Sequence, residues 1–172
     1  VLNVAILSAI IGGQLGFPTG RLNTLVKASI LHDIGALKMK NVDEEELDAD
    51  GIEAIKRMTN ETLAQYGQFD DDLLQLIGQM QELYCSESGA DIPETLKANV
   101  NANVLYVADA YDRMTAMKSY EEPTSEVKAV RALLDNEQRY DGNVVNALIK
   151  GINILYPGVC VELSNGEKGL VI

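Results

Sequence analysis

The sequence predicts an all-α domain closed by a small C-terminal β hairpin, and three observations carry that expectation. Leu, Ile, Val and Ala recur at helical spacing along most of the 172 residues. Gly and Pro fall between those periodic stretches, where they end one helix before the next begins. The period changes only in the tail, where "VCVEL" and "KGLVI" alternate apolar and polar residues around Asn165-Gly166, a pair suited to a tight hairpin turn.

The elements follow in order. "VLNVAILSAIIGGQLG" at the start is apolar enough to suggest a membrane span or a signal peptide. It lacks a basic leader, contains Asn3, Ser8 and Gln14, and is shorter than the roughly 20 apolar residues a span needs, so it reads as a buried helix. Gly16-Phe17-Pro18-Thr19-Gly20 ends it. A second apolar helix is expected over about Leu22–Ile34, with Gly35 as its C-terminal stop. Asn41 to Asp50, "NVDEEELDAD", reads as a solvated acidic link. Helices over Ile52–Tyr66 and Asp71–Tyr84 come next, the latter opened by aspartates that favour a helix N-terminus. "CSESGADIP" interrupts the pattern before a long helix over about Glu94–Met117. Pro123-Thr124 starts another helix, ending near Asn136. Asp141-Gly142 caps a last one through about Leu155, and Pro157-Gly158 stops it. The expected organisation is a helical domain over residues 1–156 and a hairpin extension over 157–172. The opening, with neither Met nor a capping residue ahead of the first helix, reads as a piece of something longer.

Apolar residues make up 47% and aromatics only 5%, without Trp, which implies an aliphatic core. The formal charge of -12 argues against nucleic acid or an anionic membrane as partner, since both are bound through clustered Lys and Arg. Cys85 and Cys160 are too few and too far apart for a disulfide framework and fit a reducing, cytoplasmic setting.

The chemistry concentrates in "ILHDIGA", residues 30–36, which holds the only histidine of the chain, His32, directly before Asp33. Such a pair offers a borderline nitrogen and a hard oxygen to one divalent cation, or it is an ordinary helix end. Further along, "YVADAYDRMTA" places Asp109 and Asp112 three residues apart on a helix. Asp109 follows an apolar Val-Ala pair and is expected to point inward, where a metal or hydrogen bonds would offset the cost of burying it.

Taken together, "NVAILS", "LHDIG", "VLYVADAYDRMTA" and "YPGVCVELSNGEKGLVI" resemble, in the same order and over nearly the whole chain, an HD-GYP domain, the bacterial signalling branch of the HD phosphohydrolases. The resemblance implies a helical bundle that hydrolyses cyclic di-GMP with a cluster of metals held between helices. His32 and Asp33 match the namesake pair, and Asp109 matches a metal-holding aspartate of a later helix. The first histidine of the family falls at or before Val1. Its phosphate-binding lysine corresponds to Ala36, and its later histidines fall on Met58, Met80 and Gln81, with Glu82 retained. The loop that gives the family its name falls on Cys85 to Ala90, as "CSESGA". Lys118 matches a basic residue near the substrate, while Glu121 stands where a second is usual.

These losses imply a degenerate, non-catalytic signalling or interaction module, in which His32, Asp33 and Asp109 are a vestigial metal set and Lys118 and Asp112 are weak candidates for substrate contact. Met58 and Met80 would fill a vacated site, and Cys85 is expected to be inert. No cofactor is expected. The alternative is a residual mononuclear phosphohydrolase with Asp33 in the catalytic role, holding one ion of iron, manganese, zinc or magnesium, a histidine upstream of Val1 completing the set. The expected partner is another protein or a second copy, with a cyclic dinucleotide as a further candidate. In an empty site the two carboxylates would repel, and one would have a raised pKa or borrow a donor such as Asn103 or Lys118. Asp109→Asn would then change the unfolding free energy by less than about 1 kcal/mol or stabilise the metal-free chain.

Overall fold

The structure, a computed structural model, describes residues 1–39, 49–85, 92, 94–117, 122–154, 157–163 and 165–172. Its helices are α1 (Leu2–Gln14), α2 (Thr19–Leu31), α3 (Ala49–Tyr66), α4 (Asp71–Cys85), α5 (Glu94–Lys97), α6 (Val100–Thr115), α7 (Glu126–Leu134) and α8 (Gly142–Ile152). A 3₁₀ turn, Ile34–Lys38, follows α2, and strands β1 (Cys160–Glu162) and β2 (Lys168–Leu170) form an antiparallel hairpin. The all-α expectation with a terminal hairpin therefore holds.

α6 is the axis of the bundle, for every residue from Ala102 to Tyr111 is buried. A helix apolar or small on all sides has to be enclosed, and α1, α4, α7, α8 and part of α2 pack around it. Tyr106 lies at its centre, edge-on to Tyr84 of α4 with centroids 5.4 Å apart and stacked on Tyr140 at 5.2 Å. These contacts fix the height of α4 against α6.

Three boundaries differ from the sequence expectation. The long helix from Glu94 is two elements, because Asn99 adopts an extended backbone and its carboxamide oxygen accepts from the N–H groups of Asn101 and Ala102, starting α6 anew. α8 ends at Ile152 with Asn153 in the left-handed region at φ 47°, earlier than Pro157 requires. α2 spans Thr19–Leu31 and Gly35 is not its left-handed stop. Gly35 lies inside the 3₁₀ turn, and its N–H donates to Thr59 Oγ1 of α3 at 2.9 Å. A Cβ there would meet Ile55 O and Thr59 N, backbone atoms with nowhere to move. The hairpin turn carries Gly166 at φ 85°, as expected of Asn-Gly. The acidic link lies almost wholly outside the described residues, as does the segment after Cys85.

Gly35→Ala should therefore lower the unfolding free energy by about 1–3 kcal/mol through overpacking against a helix backbone. Chemical denaturation checks it; a loss near zero would show that α3 is not held this close.

Candidate functional site

Four elements meet around one cavity of about 210 Å³: the end of α2 with the 3₁₀ turn, α3, α4 and the C-terminal half of α6. Its walls include His32, Asp33, Ala36, Ile52, Ile55 and Lys56 on one side and Gln81, Tyr84, Asp109 and Arg113 on the other. The fold thus brings together the three residues singled out as a vestigial metal set.

His32 is buried at the C-terminal end of α2, and its Nδ1 lies 2.8 Å from the carbonyl oxygen of Ser29. Nδ1 therefore carries the proton and donates it, which leaves Nε2 facing Asp109 Oδ1 at 3.5 Å. Burial opposes charging the imidazole, but the Asp109 carboxylate, then that of Asp33, and the Ser29 carbonyl outweigh it, so the His32 pKa is raised above 6.5.

Asp109 is 8% exposed. Its second oxygen, Oδ2, lies 2.9 Å from Arg113 Nε, one helical turn further along α6. The two atoms form a charge pair outside hydrogen-bond alignment. The Arg113 guanidinium lies over the Tyr84 ring, 4.6 Å from its centroid. Burial alone would push the Asp109 carboxyl up; the contact with His32 and the charge of Arg113 reverse that and hold it below 3.8. Of the two expected outcomes, a raised pKa or a borrowed donor, Asp109 shows the second, with His32 and Arg113 in place of Asn103 or Lys118; Arg113 is the partner the sequence reading passed over. The i,i+4 spacing in "DAYDR" was the signal that could have found it.

The other candidates are distributed as follows. Asn103 does not serve Asp109, because its amide donates to the carbonyls of Lys97 and Asn99, holding the break between α5 and α6. Asp112 accepts from Asn3 Nδ2 at 3.0 Å and ties α6 to α1 instead of lining the cavity. Met80 is buried in the main core, Met58 is half-buried, and neither lines the cavity. Gln81 does, with its Nε2 buried and unpaired among the described residues. Lys118 and Glu121 lie outside the described residues, as do the side chain of Cys85 and the loop after it.

Two donors to one divalent ion, each about 2.1 Å from it, lie about 3.0–3.4 Å apart. His32 Nε2 and Asp109 Oδ1, at 3.5 Å, come near that separation. The nearest approach of Asp33 is to the Nδ1 edge of the ring, at 3.9 Å, and Oδ2 of Asp109 already faces Arg113. Among the described residues no three His, Cys, Asp or Glu side chains are grouped so as to hold one ion. The described donors do not make up the three protein ligands that a zinc-type site needs.

The model of the HD domain family matches residues 3–144. The chain belongs to that family, a superfamily of phosphohydrolase type. No curated protein matches it. No helix among the described residues is long and apolar enough to cross a membrane.

Two predictions follow from the charge chain. Asp109→Asn should lower stability by about 1.5–3 kcal/mol, because it leaves His32 and Arg113 without their shared counter-ion. This replaces the expectation of a near-neutral change; urea denaturation with chelator present checks it. The raised His32 pKa stabilises the fold fully below 6.5 and less as pH rises through the folded-state value, while the lowered Asp109 pKa stabilises above 3.8 and is lost as pH falls below it. The stability deficit of His32→Gln relative to wild type should accordingly be larger at about pH 6 than at about pH 9. Equal deficits at the two pH values would show that His32 is neutral throughout.

Proposed function

We propose that this chain is a degenerate, non-catalytic member of the HD-GYP branch that works as a signalling or interaction module, through a protein partner or a second copy of itself. The observation that carries this reading is the pairing of Asp109 with two side chains of the protein, His32 and Arg113. A catalytic carboxylate of this kind would instead be shared among metal ions. A two-metal clamp on an in-line displacement needs a set of nitrogen and oxygen donors on each ion, and the described site offers one imidazole and two carboxylates facing different edges of it. The substitutions at Ala36, Met58, Met80 and Gln81 support the same reading, on the strength of the resemblance.

One observation favours the alternative, a mononuclear phosphohydrolase. The Nδ1–H of His32 anchored on a backbone carbonyl, with Nε2 turned toward a carboxylate, is the arrangement of a metal-ligating histidine. Such an enzyme would need ligands beyond those described, and a histidine ahead of Val1 is the candidate.

Incubation with cyclic di-GMP or a generic phosphodiester and added manganese or ferrous iron should give no turnover above the protein-free rate. Turnover abolished by Asp33→Ala would overturn the non-catalytic reading in favour of the alternative.

A further inference from the structure

We infer that the cavity beside His32 is a binding site for one small organic monocarboxylate with an apolar body the size of a single ring. The inference deepens the non-catalytic reading and rests on it, since it treats the site as a receptor for an effector and not for a phosphodiester. Three features point this way.

The first is size. About 210 Å³ is somewhat more than the roughly 150 Å³ that accommodates benzene. A cyclic dinucleotide is far too large for that space.

The second is the lining. Ala36, Ile52, Ile55 and the Tyr84 ring form an apolar wall against which an apolar body displaces poorly held water. Polar bodies such as free phosphate would leave that wall uncompensated.

The third is the charge distribution. Both carboxylates on the walls already face cationic or imidazole partners: Asp109 lies between His32 Nε2 and Arg113, and Asp33 Oδ1 lies 3.9 Å from His32 Nδ1. Two cationic side chains on the walls, Lys56 of α3 and Arg113 of α6, keep part of their surface open, at 29% and 41%. Lys56 also has Glu53 3.7 Å away on its own helix, a contact that a ligand carboxylate would join or replace. Arg presents a planar fork that matches a planar carboxylate. Gln81, on the same wall as Arg113, contributes a buried amide N–H group without an acceptor, so a donor remains to be satisfied there.

Benzoate is the probe, with benzamide as its neutral counterpart of equal shape and acetate as the head without the body. Ligand-observed NMR and calorimetry on the metal-free chain should show saturable benzoate binding, weaker at higher salt. Benzamide should bind at least about tenfold more weakly, as expected when a charge-assisted contact is lost. Acetate should not bind. Lys56→Gln, at a partly exposed position that leaves the core intact, should weaken benzoate several-fold and leave benzamide unchanged; Ile55→Trp, which fills the cavity, should abolish both.

No saturable binding to wild type overturns the inference, as does benzoate binding that survives both substitutions in folded protein, judged by circular dichroism. Equal affinity for benzoate and benzamide overturns the carboxylate assignment. The phosphodiesterase assay is independent of these results: turnover sinks the non-catalytic reading, whereas absent benzoate binding without turnover sinks only this inference.

Discussion

The carboxylate of Asp109 is the constraint around which this bundle is arranged. It projects from a helix that is enclosed on all sides between Ala102 and Tyr111, and a carboxylate in such surroundings is tolerated only if its charge is met by partners that are themselves held in place. One partner comes from the same helix, Arg113, and costs no long-range ordering. The other, His32, comes from α2 and fixes where that helix must end. α2 ends where its last turn accepts the imidazole Nδ1–H on Ser29, and the chain then turns through Ile34–Lys38 so that Gly35 can abut α3. Tyr84, packed edge-on to Tyr106, supports the guanidinium from α4. Four elements thus have their positions tied to one buried negative charge.

The manner of its neutralisation bears on function. A metal bound from solution stabilises a fold by an amount that grows with its free concentration. Arg113 is tethered one turn from Asp109, so its contribution is present at any metal level. Among the described residues the carboxylate is met by side chains of the protein itself, Arg113 and His32. Arg113 engages Oδ2, while Oδ1 faces His32 Nε2.

Much of the fold was legible in sequence because helix periods and their Gly and Pro boundaries are local signals. Asp141 was read as a cap, and its Oδ1 accepts from the N–H groups of Asn143 and Val144; Asn165-Gly166 was read as a turn and is one. What was missed involved competition between local rules. Asn99 stands in a run that is helical by period, and only its side chain, which can replace the preceding turn as an acceptor, reveals the restart of α6. Gly35 looked like a helix stop, yet its reason is the approach of α3 more than twenty residues later, which no local pattern encodes. The convergence of His32 and Asp109 was accessible through family resemblance and not through spacing. The donor for Asp109 was sought at Asn103 and Lys118, while Arg113 in plain i,i+4 relation supplies the charge.

Helix α4 sets two adjacent residues in different surroundings. The resemblance places two family histidines on adjacent residues, Met80 and Gln81. Adjacent positions on a helix point about 100° apart, so they answer to different neighbours. Met80 faces the main core at 1% exposure, where a flexible thioether fills irregular space and needs no hydrogen-bond partner. Gln81 faces the cavity and keeps a polar end whose N–H has no acceptor among the described residues. An apolar side chain at that position would have removed the penalty of an unpaired buried donor. One position of the pair thus belongs to the core and the other stays polar against the cavity, so the site has an apolar wall beside an unsatisfied donor.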